Sequence, residues 1–332
     1  MIKKKRPKTL LLTARDVEKL LKMEECFSAV ESSFRAYGEG KVILPPKLYL
    51  TLPQEIGDFR AMPAYLESPK RCGMKWVSVH PRNRAFSLPS VMGMIILNDA
   101  GTGFPLAVLD GTLITKMRTG AAGAVAAKYL ARKDSEVLGL VGCGAQAETQ
   151  LLFLSKTFTF RRIPFWGLTA SDRRRFYEKM KGFRALLEEK KTIRETATGV
   201  DILVTTTPSR RPLIRREWVS PGTHINAIGA DSKGKEEIHP GLLKRAKIIV
   251  DDWHQASMSG EMNVPFSRGI ITRKDVYATL GEIVCGRKKG RTKREEISLF
   301  DSTGLAIQDI AVAWRVYQKA LLHGIGKQIL FF

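Results

Sequence analysis

Residues 137–147 read VLGLVGCGAQA and combine an apolar strand, a glycine-rich turn and the start of a helix. Gly142 permits a tight turn, Gly144 lets a pyrophosphate approach the backbone, and Ala147 allows the helix to pack closely on the strand. Phosphate groups are favoured at the N-terminus of such a helix. The motif predicts a dinucleotide-binding domain of the Rossmann type, and the alternative interpretation is an ordinary glycine turn.

The composition predicts a globular chain with more than one domain. It has 332 residues, of which 44% are hydrophobic, too many for a disordered protein. The formal net charge of +22 indicates attraction to polyanions, membrane surfaces or anionic small molecules, without choosing among them. The four cysteines have neither paired nor metal-ligating spacings. We therefore expect a reducing compartment, no disulfide-stapled module and no metal site.

The sequence also indicates which partners to exclude. Its apolar runs are too short to span a bilayer, and the basic run Lys3 to Lys8 precedes too short an apolar stretch for a signal peptide. That run and a second one, Arg287 to Arg294, lack interleaved aromatic residues. We expect a cytoplasmic protein with no membrane partner. For the two basic runs a solvated surface is favoured over nucleic-acid binding, and a polyanion-binding role stays open as an alternative.

A change of pattern separates two parts of the chain. Thr13 to Tyr37 has apolar residues at helical spacing, with Thr13 as a candidate N-cap, and predicts one or two helices. Lys47 to Leu109 contains short β-rich pieces between Pro and Gly turn signals. This first part predicts an α+β domain with a mixed or antiparallel sheet.

The second part alternates between strand and helix patterns, which predicts an α/β domain with a doubly wound parallel sheet. It begins with a Gly- and Ala-rich helix at Thr115 to Ala131, whose small residues allow close packing. Buried strands are predicted at Glu136 to Val141, Ile163 to Trp166, Asp201 to Thr206, His224 to Gly229 and Ile248 to Val250. The tail from Thr303 to Leu322 predicts a helix that buries Leu305, Ile307, Ile310, Val312, Ala313, Val316 and Leu321.

The end of the second Rossmann strand is expected to read the adenosine ribose. An acid there binds the 2′-hydroxyl and favours NAD, but Gly167 follows Trp166 and no acid ends this strand. Thr169 and Arg173 could instead donate to a 2′-phosphate. The cofactor is therefore expected to be NAD or NADP, with NADP slightly favoured. The alternative is that the arginines here form only a solvated helix start.

Further segments resemble the ornithine cyclodeaminase and mu-crystallin family, particularly its archaeal alanine dehydrogenase branch. They run in the family's order from Leu10 onwards. The segments are Leu44 to Lys47, Phe59 to Ala64, Gly73 to Val77, His80-Pro81, Thr102 to Ala107, Thr115 to Ala121, Thr205 to Ser209, Asn226 to Asp231 and Phe300 to Gly304. The chain departs from the family at the ribose-reading acid, where it has Gly167.

The resemblance implies a homodimer whose subunits each have two domains with different functions. Residues 1–116, completed by residues 305–332, would form a substrate and dimerisation domain, and residues 117–304 would form the Rossmann domain. It further implies that Arg118, Lys75 and Lys47 hold the substrate carboxylate and that Asp231 works at the reacting carbon.

The cofactor-binding residues follow from the glycine motif, the ribose-reading strand and the resemblance together. They are Thr119, Gly142, Gly144, Ala145, Gln146, Thr169, Arg173, Thr206, Thr207, Gly229, Ala230, Ser302 and Gly304.

The chemistry of these side chains agrees with the roles but leaves alternatives. Arg118 supplies the planar fork that a carboxylate needs. Lys75 shares a strand face with Val77 and either enters a cleft or snorkels from a half-buried strand. Asp231 follows a buried strand and could be only a helix N-cap, and Lys47 could be a surface residue after a rigid turn.

Substrate choice is predicted from Arg60, which lies in a segment that lines the pocket in the family. A fixed cation there would repel the second ammonium of ornithine or lysine. The alternative is that Arg60 faces solvent or binds a neighbouring carboxylate.

We therefore expect a nicotinamide-dependent amino-acid oxidoreductase that deaminates L-alanine reversibly to pyruvate and ammonia. Lys75 would act as a proton donor or as a carboxylate clamp, and Asp231 would assist water addition. The alternatives are an NADPH-dependent ketimine or imino-acid reductase, an ornithine cyclodeaminase, and a non-enzymatic binding protein like mu-crystallin.

Overall fold

The computed structural model describes residues 6–183 and 185–332. Residues 1–5, which include the start of the basic run Lys3 to Lys8, lie outside the described residues. The chain divides into two compact units, here called the first and second unit. The first comprises the residues up to Arg118 together with Leu305–Phe332, and the second is Thr119–Gly304. The boundary therefore falls between Arg118 and Thr119, where the sequence placed it between residues 116 and 117.

Eighteen strands are found in the described residues. They are β1 (Thr9–Leu12), β2 (Val42–Ile43), β3 (Leu48–Leu52), β4 (Gly57–Leu66), β5 (Arg71–Val79), β6 (Val91–Asn98), β7 (Pro105–Asp110), β8 (Leu138–Val141), β9 (Arg162–Trp166), β10 (Leu186–Glu189), β11 (Ile202–Thr205), β12 (Arg210–Ile214), β13 (His224–Ala227), β14 (Glu236–Ile238), β15 (Lys247–Val250), β16 (Val276–Thr279), β17 (Ser298–Asp301) and β18 (Lys327–Ile329).

Eleven α-helices are found in the same residues. They are α1 (Ala14–Leu20), α2 (Met23–Gly38), α3 (Thr112–Leu130), α4 (Ala145–Leu154), α5 (Ala170–Met180), α6 (Ile193–Ala197), α7 (Pro240–Leu243), α8 (Trp253–Ser259), α9 (Asn263–Ser267), α10 (Leu280–Val284) and α11 (Ala306–His323). Short 3-10 helices occur at Pro81–Phe86, Arg216–Trp218 and Arg273–Asp275.

The first unit is built on a mixed sheet of eight strands. Its order is β18-β1-β7-β6-β5-β4-β2, and β3 pairs with β4. Only β1 and β7 run parallel, and the other pairs are antiparallel. Helix α11 packs on β4 and β5 and against α2. The buried residues of α11 and of one face of the sheet therefore form the core of this unit.

The second unit is built on eight parallel strands in the order β10-β9-β8-β11-β13-β17-β15-β16. The first strand of the unit, β8, lies between β9 and β11, so the chain changes direction across the sheet beside β8. Ligands bind at such a switch point, outside the carboxyl ends of the strands. Trp166, Val141, Thr205, Ala227 and Asp301 are paired in one row, which marks that edge.

The structure confirms the predicted α/β fold class, with a doubly wound parallel sheet and an α+β part. The run from Thr13 forms two helices, and Thr13 caps the first one in a reciprocal capping box with Asp16. The predicted burial of Leu321 in the tail helix is wrong, because its side chain is 52% exposed. It lies in the last turn of α11, beyond the part that packs on the sheet.

Candidate functional site

The glycine turn after β8 leaves a helix N-terminus open. Gly142 has φ of +112°, and a Cβ at this position would collide with Oγ1 of Thr206. Gly144 is the N-cap of α4, makes no side-chain cap and has open space around its missing Cβ. The first N–H groups of α4, at Ala145 and Gln146, therefore have no capping side chain. This arrangement suits an anion such as a pyrophosphate.

Two buried hydroxyls at the same sheet edge lack partners within the described residues. They are Oγ1 of Thr206, which follows β11, and Oγ of Ser302, which follows β17. Buried hydroxyls in proteins are normally hydrogen-bonded, so a bound group is expected to satisfy these two. Together with the open N-terminus of α4, they show that the residues present fit a dinucleotide.

A buried glutamate joins two of the loops at this edge. Oε2 of Glu237 accepts hydrogen bonds from Oγ1 of Thr205 at 2.7 Å and from N–H of Gly229 at 2.9 Å, and Oε1 accepts from N–H of Thr207 at 2.6 Å. The backbone N–H of Glu237 donates to the carboxylate of Glu261. Burial raises the pKa of Glu237, while these hydrogen bonds act in the opposite direction. Glu237 therefore fixes the loops after β11 and β13 relative to each other.

The other residues predicted to bind the cofactor mostly belong to the same carboxyl edge. Ala230 is fully buried beside Gly229. Gly304 has φ of +80°, and its N–H donates to Oδ2 of Asp251 at 2.7 Å. Thr119 lies in α3, and its carbonyl accepts from Nε2 of Gln150 on α4 at 2.9 Å.

Gly167 follows β9, where the adenosine ribose is expected to bind, and its neighbours pack closely against it. A Cβ at this position would lie 2.9 Å from Sγ of Cys143, so close packing alone already requires glycine here. Arg173 donates to the carbonyl of Gly167 at 2.7 Å and pairs with Glu189 at 2.6 Å. Thr169 caps α5, and its hydroxyl bonds Asp172. The structure thus gives Gly167, Thr169 and Arg173 local structural partners in addition to their predicted roles.

A charged cluster is buried in the first unit between β5, α3 and α11. Nζ of Lys75 on β5 lies 2.8 Å from Oδ2 of Asp309 on α11, and the two side chains are 1% and 0% exposed. Nε of Arg118 on α3 lies 3.1 Å from Oδ1 of the same carboxylate, and its Nη1 donates to Oε1 of Gln308 at 3.0 Å. We call Lys75, Arg118, Gln308 and Asp309 the Lys75 cluster.

The cluster changes the protonation of Lys75. Burial, together with the positive charges of Arg118 and Lys47, lowers the pKa of Lys75 to about 7, against the opposing effect of the nearby carboxylate of Asp309. Nζ of Lys75 also donates to Oγ1 of Thr115 at 3.3 Å. The predicted substrate residues Lys47, Lys75 and Arg118 thus act on one another electrostatically, and Lys75 can exchange a proton near neutral pH.

Gln308 offers an unused donor beside these charges. Its side chain is fully buried, and its Nε2 has no hydrogen-bond partner among the described residues. Nη1 of Arg118 uses one of its two hydrogens for Gln308, and Nη2 makes no hydrogen bond within the described chain. The cluster therefore keeps donors for an anionic group.

Arg60 lies on β4 and is only 6% exposed. Its Nε is 2.6 Å from Oδ1 of Asp58, and its guanidinium lies over the ring of Tyr49. The charge that was predicted to repel diamino acids is therefore largely compensated by a neighbouring carboxylate.

Asp231 follows β13 at the carboxyl edge of the second sheet, four residues before Lys235, with which it forms a salt bridge. The next helix begins at Pro240, so Asp231 is not the N-cap considered as an alternative. The carboxylate is about one-third exposed, which leaves it open to a ligand.

Neither a metal centre nor a membrane-spanning helix is found in the part of the chain that is described. Residues 6–183 and 185–332 contain no group of three or more His, Cys, Asp or Glu side chains placed to hold a metal ion. None of their helices combines the length and the apolar character needed to cross a membrane.

Sequence reasoning missed Gln308 and Asp309. Both lie in the tail helix, for which only apolar residues were predicted to be buried, and both are fully buried. An acid on the buried face of an otherwise apolar helix was the available signal, because a buried carboxylate requires a cation or several donors.

Comparisons with known proteins agree with this architecture. Residues 7–324 match the sequence profile of the ornithine cyclodeaminase/mu-crystallin family. An alanine dehydrogenase of Archaeoglobus fulgidus is 50% identical over 326 residues, which are 98% of this chain and 99% of that protein.

Two solved structures are also similar over nearly the whole chain. An archaeal alanine dehydrogenase dimer with bound NAD has a TM-score of 0.94 and 49% identity, covering 98% of this chain and all of that one. The Delta(1)-pyrroline-2-carboxylate reductase of Thermococcus litoralis, in complex with NADH and L-proline, has a TM-score of 0.93 and 37% identity, covering 96% of this chain and 99% of that one.

These relatives are nicotinamide-dependent dehydrogenases and reductases, which confirms the prediction of an enzyme of this class. The matches extend over both units, so they concern the whole chain and not only the Rossmann fold. The chain belongs to the ornithine cyclodeaminase/mu-crystallin family.

Proposed function

We propose that this protein interconverts a small L-amino acid with its 2-oxo acid and ammonia, with L-alanine and pyruvate as the principal pair. The observation that carries the proposal is the Lys75 cluster, in which a lysine of pKa about 7 and an arginine share one buried carboxylate. The 50% identity to an alanine dehydrogenase supports the choice of alanine.

The substrate carboxylate is bound by Arg118. Nη1 and Nη2 each keep a hydrogen, so two parallel hydrogen bonds to a carboxylate remain available after Asp309 and Gln308 are satisfied. Nε2 of Gln308 supplies a further donor to a bound oxygen. Such two-point binding fixes the orientation of Cα, and correct positioning accounts for a large share of catalysis.

Lys75 moves a proton. With a pKa of about 7 it is part ammonium and part amine at neutral pH, which suits a group that gives and takes a proton in a reversible reaction. Asp309 keeps the ammonium form accessible in spite of burial. Lys47 contributes positive charge nearby and favours an anionic substrate.

The nicotinamide cofactor, when bound, accepts or supplies a hydride. Its phosphates would be held by the turn Gly142 to Gln146, and Thr206, Thr207, Gly229, Ala230, Ser302 and Gly304 would line its remaining path with Thr119. Asp231 takes up a proton from the water that adds to the imino carbon, and Lys235 forms a salt bridge with its carboxylate.

The ribose site accepts NADPH at least as well as NADH. No acid stands at residue 167 to repel a 2′-phosphate, and Arg173 and Thr169 lie at the adjacent start of α5. The charge of Arg173 is shared with the exposed Glu189, so the preference is modest.

A homodimer is proposed from the exposed face of the first sheet. Leu48, Ala61, Trp76 and Met94 are directly paired across β3, β4, β5 and β6. Leu48, Trp76 and Met94 are 62%, 38% and 55% exposed. A continuous apolar row of this kind is typical of a protein interface. The similar archaeal alanine dehydrogenase is a dimer.

We also propose that the protein works in the cytoplasm, because all four cysteines are free thiols.

Reduction of a cyclic imine is the second candidate function. A proton donor of pKa about 7 beside a carboxylate-binding arginine would serve an imino acid equally well, and a pyrroline-2-carboxylate reductase is among the similar structures. Ornithine cyclodeamination is the third, since compensation of Arg60 by Asp58 weakens the expected repulsion of a diamino acid.

The test follows nicotinamide absorbance with pyruvate plus ammonium and with 1-pyrroline-2-carboxylate, using NADH and NADPH in parallel. Ornithine is incubated with the oxidised cofactors and its products, proline and ammonia, are measured directly, because cyclodeamination returns the hydride and changes no net absorbance. The highest kcat/KM is expected for pyruvate with ammonium. A higher value for the cyclic imine would replace the alanine assignment by imine reduction, and release of proline and ammonia from ornithine would replace it by cyclodeamination.

A further inference from the structure

A second buried arginine lies in the first unit, and it has no counter-charge. Arg71, the first residue of β5, is only 7% exposed, and its Nε is sealed from solvent without a hydrogen-bond partner among the described residues. Its Nη atoms make no hydrogen bond or ion pair within that part of the chain either. A guanidinium held in this way is costly unless an anion accompanies it.

The position of Arg71 is defined by the strand alternation. Arg71, Gly73 and Lys75 point to the same face of β5, which is covered by α11. At Gly73 a Cβ would lie 2.9 Å from Cδ1 of Ile310, so helix and strand cross closely here. Along β5, Lys75 lies on one side of Gly73 and forms an ion pair with Asp309, and Arg71 lies on the other side of Gly73.

A second cation is close to Arg71. Burial and then the positive charge of Arg315 on α11 lower the pKa of Arg71 to about 10, and no acid acts on it in the opposite direction. Arg315 is exposed and borders a surface groove with Glu24 and Glu25, of which Glu25 is paired with Lys319 at 2.8 Å. The positive charge of Arg315 thus acts on Arg71, and no carboxylate of the described residues opposes it.

We propose that Arg71, with Arg315 beside it, binds one small oxyanion at the junction of β5 and α11, at a place separate from the Lys75 cluster. The ligand class is a phosphate or a free carboxylate, which a guanidinium binds through two hydrogen bonds. The bound anion links α11 to β5 at the opposite side of the Gly73 crossing from the Lys75–Asp309 pair. Its expected effect is to hold α11 in place and stabilise the protein.

The test titrates inorganic phosphate into protein saturated with NADH, so that the dinucleotide site is already filled, at constant ionic strength set with chloride. Calorimetry is expected to show saturable binding, and the melting temperature should rise with phosphate. Arg71→Gln should weaken this binding at least tenfold, whereas Lys70→Gln removes a charge from the adjacent exposed residue and should leave it unchanged.

Arg315→Gln changes an exposed residue and keeps the test valid if the Arg71 variant does not fold. It should weaken phosphate binding severalfold. The proposal would be overturned if the folded Arg71 and Arg315 variants bound phosphate as tightly as the wild type. It would also be overturned if phosphate raised the melting temperature of the wild type no more than chloride does.

The anion could also be a carboxylate of a second copy of this chain, and sedimentation distinguishes the two sources. The free-anion site predicts that Arg71→Gln leaves the dimer dissociation constant unchanged. A tenfold weaker dimer in Arg71→Gln, with no phosphate response in the wild type, would overturn the site for a free anion.

Discussion

Nζ of Lys75 lies 2.8 Å from Oδ2 of Asp309, and neither side chain reaches solvent. The two residues come from strand β5 and from helix α11, which are far apart in the sequence. Removing one partner of a buried ion pair leaves the other charge uncompensated and is strongly destabilising. Asp309 also holds Arg118, so a single carboxylate orients both cations that are proposed to act on the substrate.

Asp309→Asn is expected to shift the pH profile of reductive amination. The pKa of Lys75 is about 7, so its ammonium form, the proton donor, is lost as the pH rises through 7. Asp309 raises this pKa, and its neutralisation should move the midpoint of kcat/KM to lower pH by about one unit or more. An unchanged midpoint in a variant that remains folded would show that Lys75 is not the group whose titration sets the pH profile.

Arg118→Lys is expected to lower kcat/KM for pyruvate by about 100-fold or more, because lysine keeps the charge but loses the two-point geometry. NADH affinity, measured by fluorescence titration, should change by less than about threefold, since the fork is proposed to bind the substrate. Near-normal turnover would remove Arg118 from the substrate site.

Glu237→Gln is expected to weaken NADH binding by about tenfold, since an amide cannot accept the hydrogen bonds of Thr205, Thr207 and Gly229 with both of its heteroatoms. Glu236→Gln is the matched control, because this neighbouring carboxylate lies 3.8 Å from Arg268 and bonds none of these loops. Equal NADH affinities in the two variants would show that Glu237 does not position the cofactor loops.

Glu261→Gln should gain stability relative to the wild type as the pH rises. Burial, Glu237 and Asp301 raise the pKa of Glu261 well above 4.5. The folded protein therefore binds the Glu261 proton more tightly than the unfolded chain does. The free energy of unfolding that this proton contributes is fully present below pH 4.5 and is lost as the pH rises, by at most about 1.4 kcal/mol per pH unit.

Urea unfolding at pH 5 and at pH 8 measures this effect. An amide oxygen at Oε1 can still accept from the N–H groups of Glu237 and Ile238, so the geometry is preserved. A difference between the two proteins that is independent of pH would contradict the raised pKa.

Gly167→Asp is expected to favour NADH only after Cys143 is reduced in size. The new Cβ would lie 2.9 Å from Sγ of Cys143, so the single variant should lose stability. In a Cys143→Ala background the same change should shift the preference from NADPH to NADH by about 1–3 kcal/mol, through a new carboxylate–ribose bond and repulsion of the 2′-phosphate. Dissociation constants of both cofactors for Cys143→Ala with and without Gly167→Asp measure the shift, and identical ratios would exclude residue 167 from ribose reading.

The glycine turn and most of the buried strands of the second unit could be predicted from the sequence, because they depend on residues that are close together in the chain. The strand, turn and helix at 137–147 were recognisable because Gly142 needs a positive φ, and because a helix N-terminus without a cap attracts phosphate. The buried strands β8, β9, β11 and β13 followed from continuous apolar runs, which parallel sheets require. Strand β17 was not recognised, although it supplies Ser302 at its end.

The Lys75 cluster and the uncompensated Arg71 were decided by the tertiary structure. The sequence predicted that Lys75 and Arg118 bind the substrate, but it could not show that α11 returns to β5 and places Asp309 and Gln308 between them. It also could not show that Arg60 is paired with Asp58 while Arg71 has no acid nearby. Residue type and spacing determine local conformation, whereas the compensation of buried charges depends on which distant elements pack together, because electrostatic energy depends on distance in space and on burial.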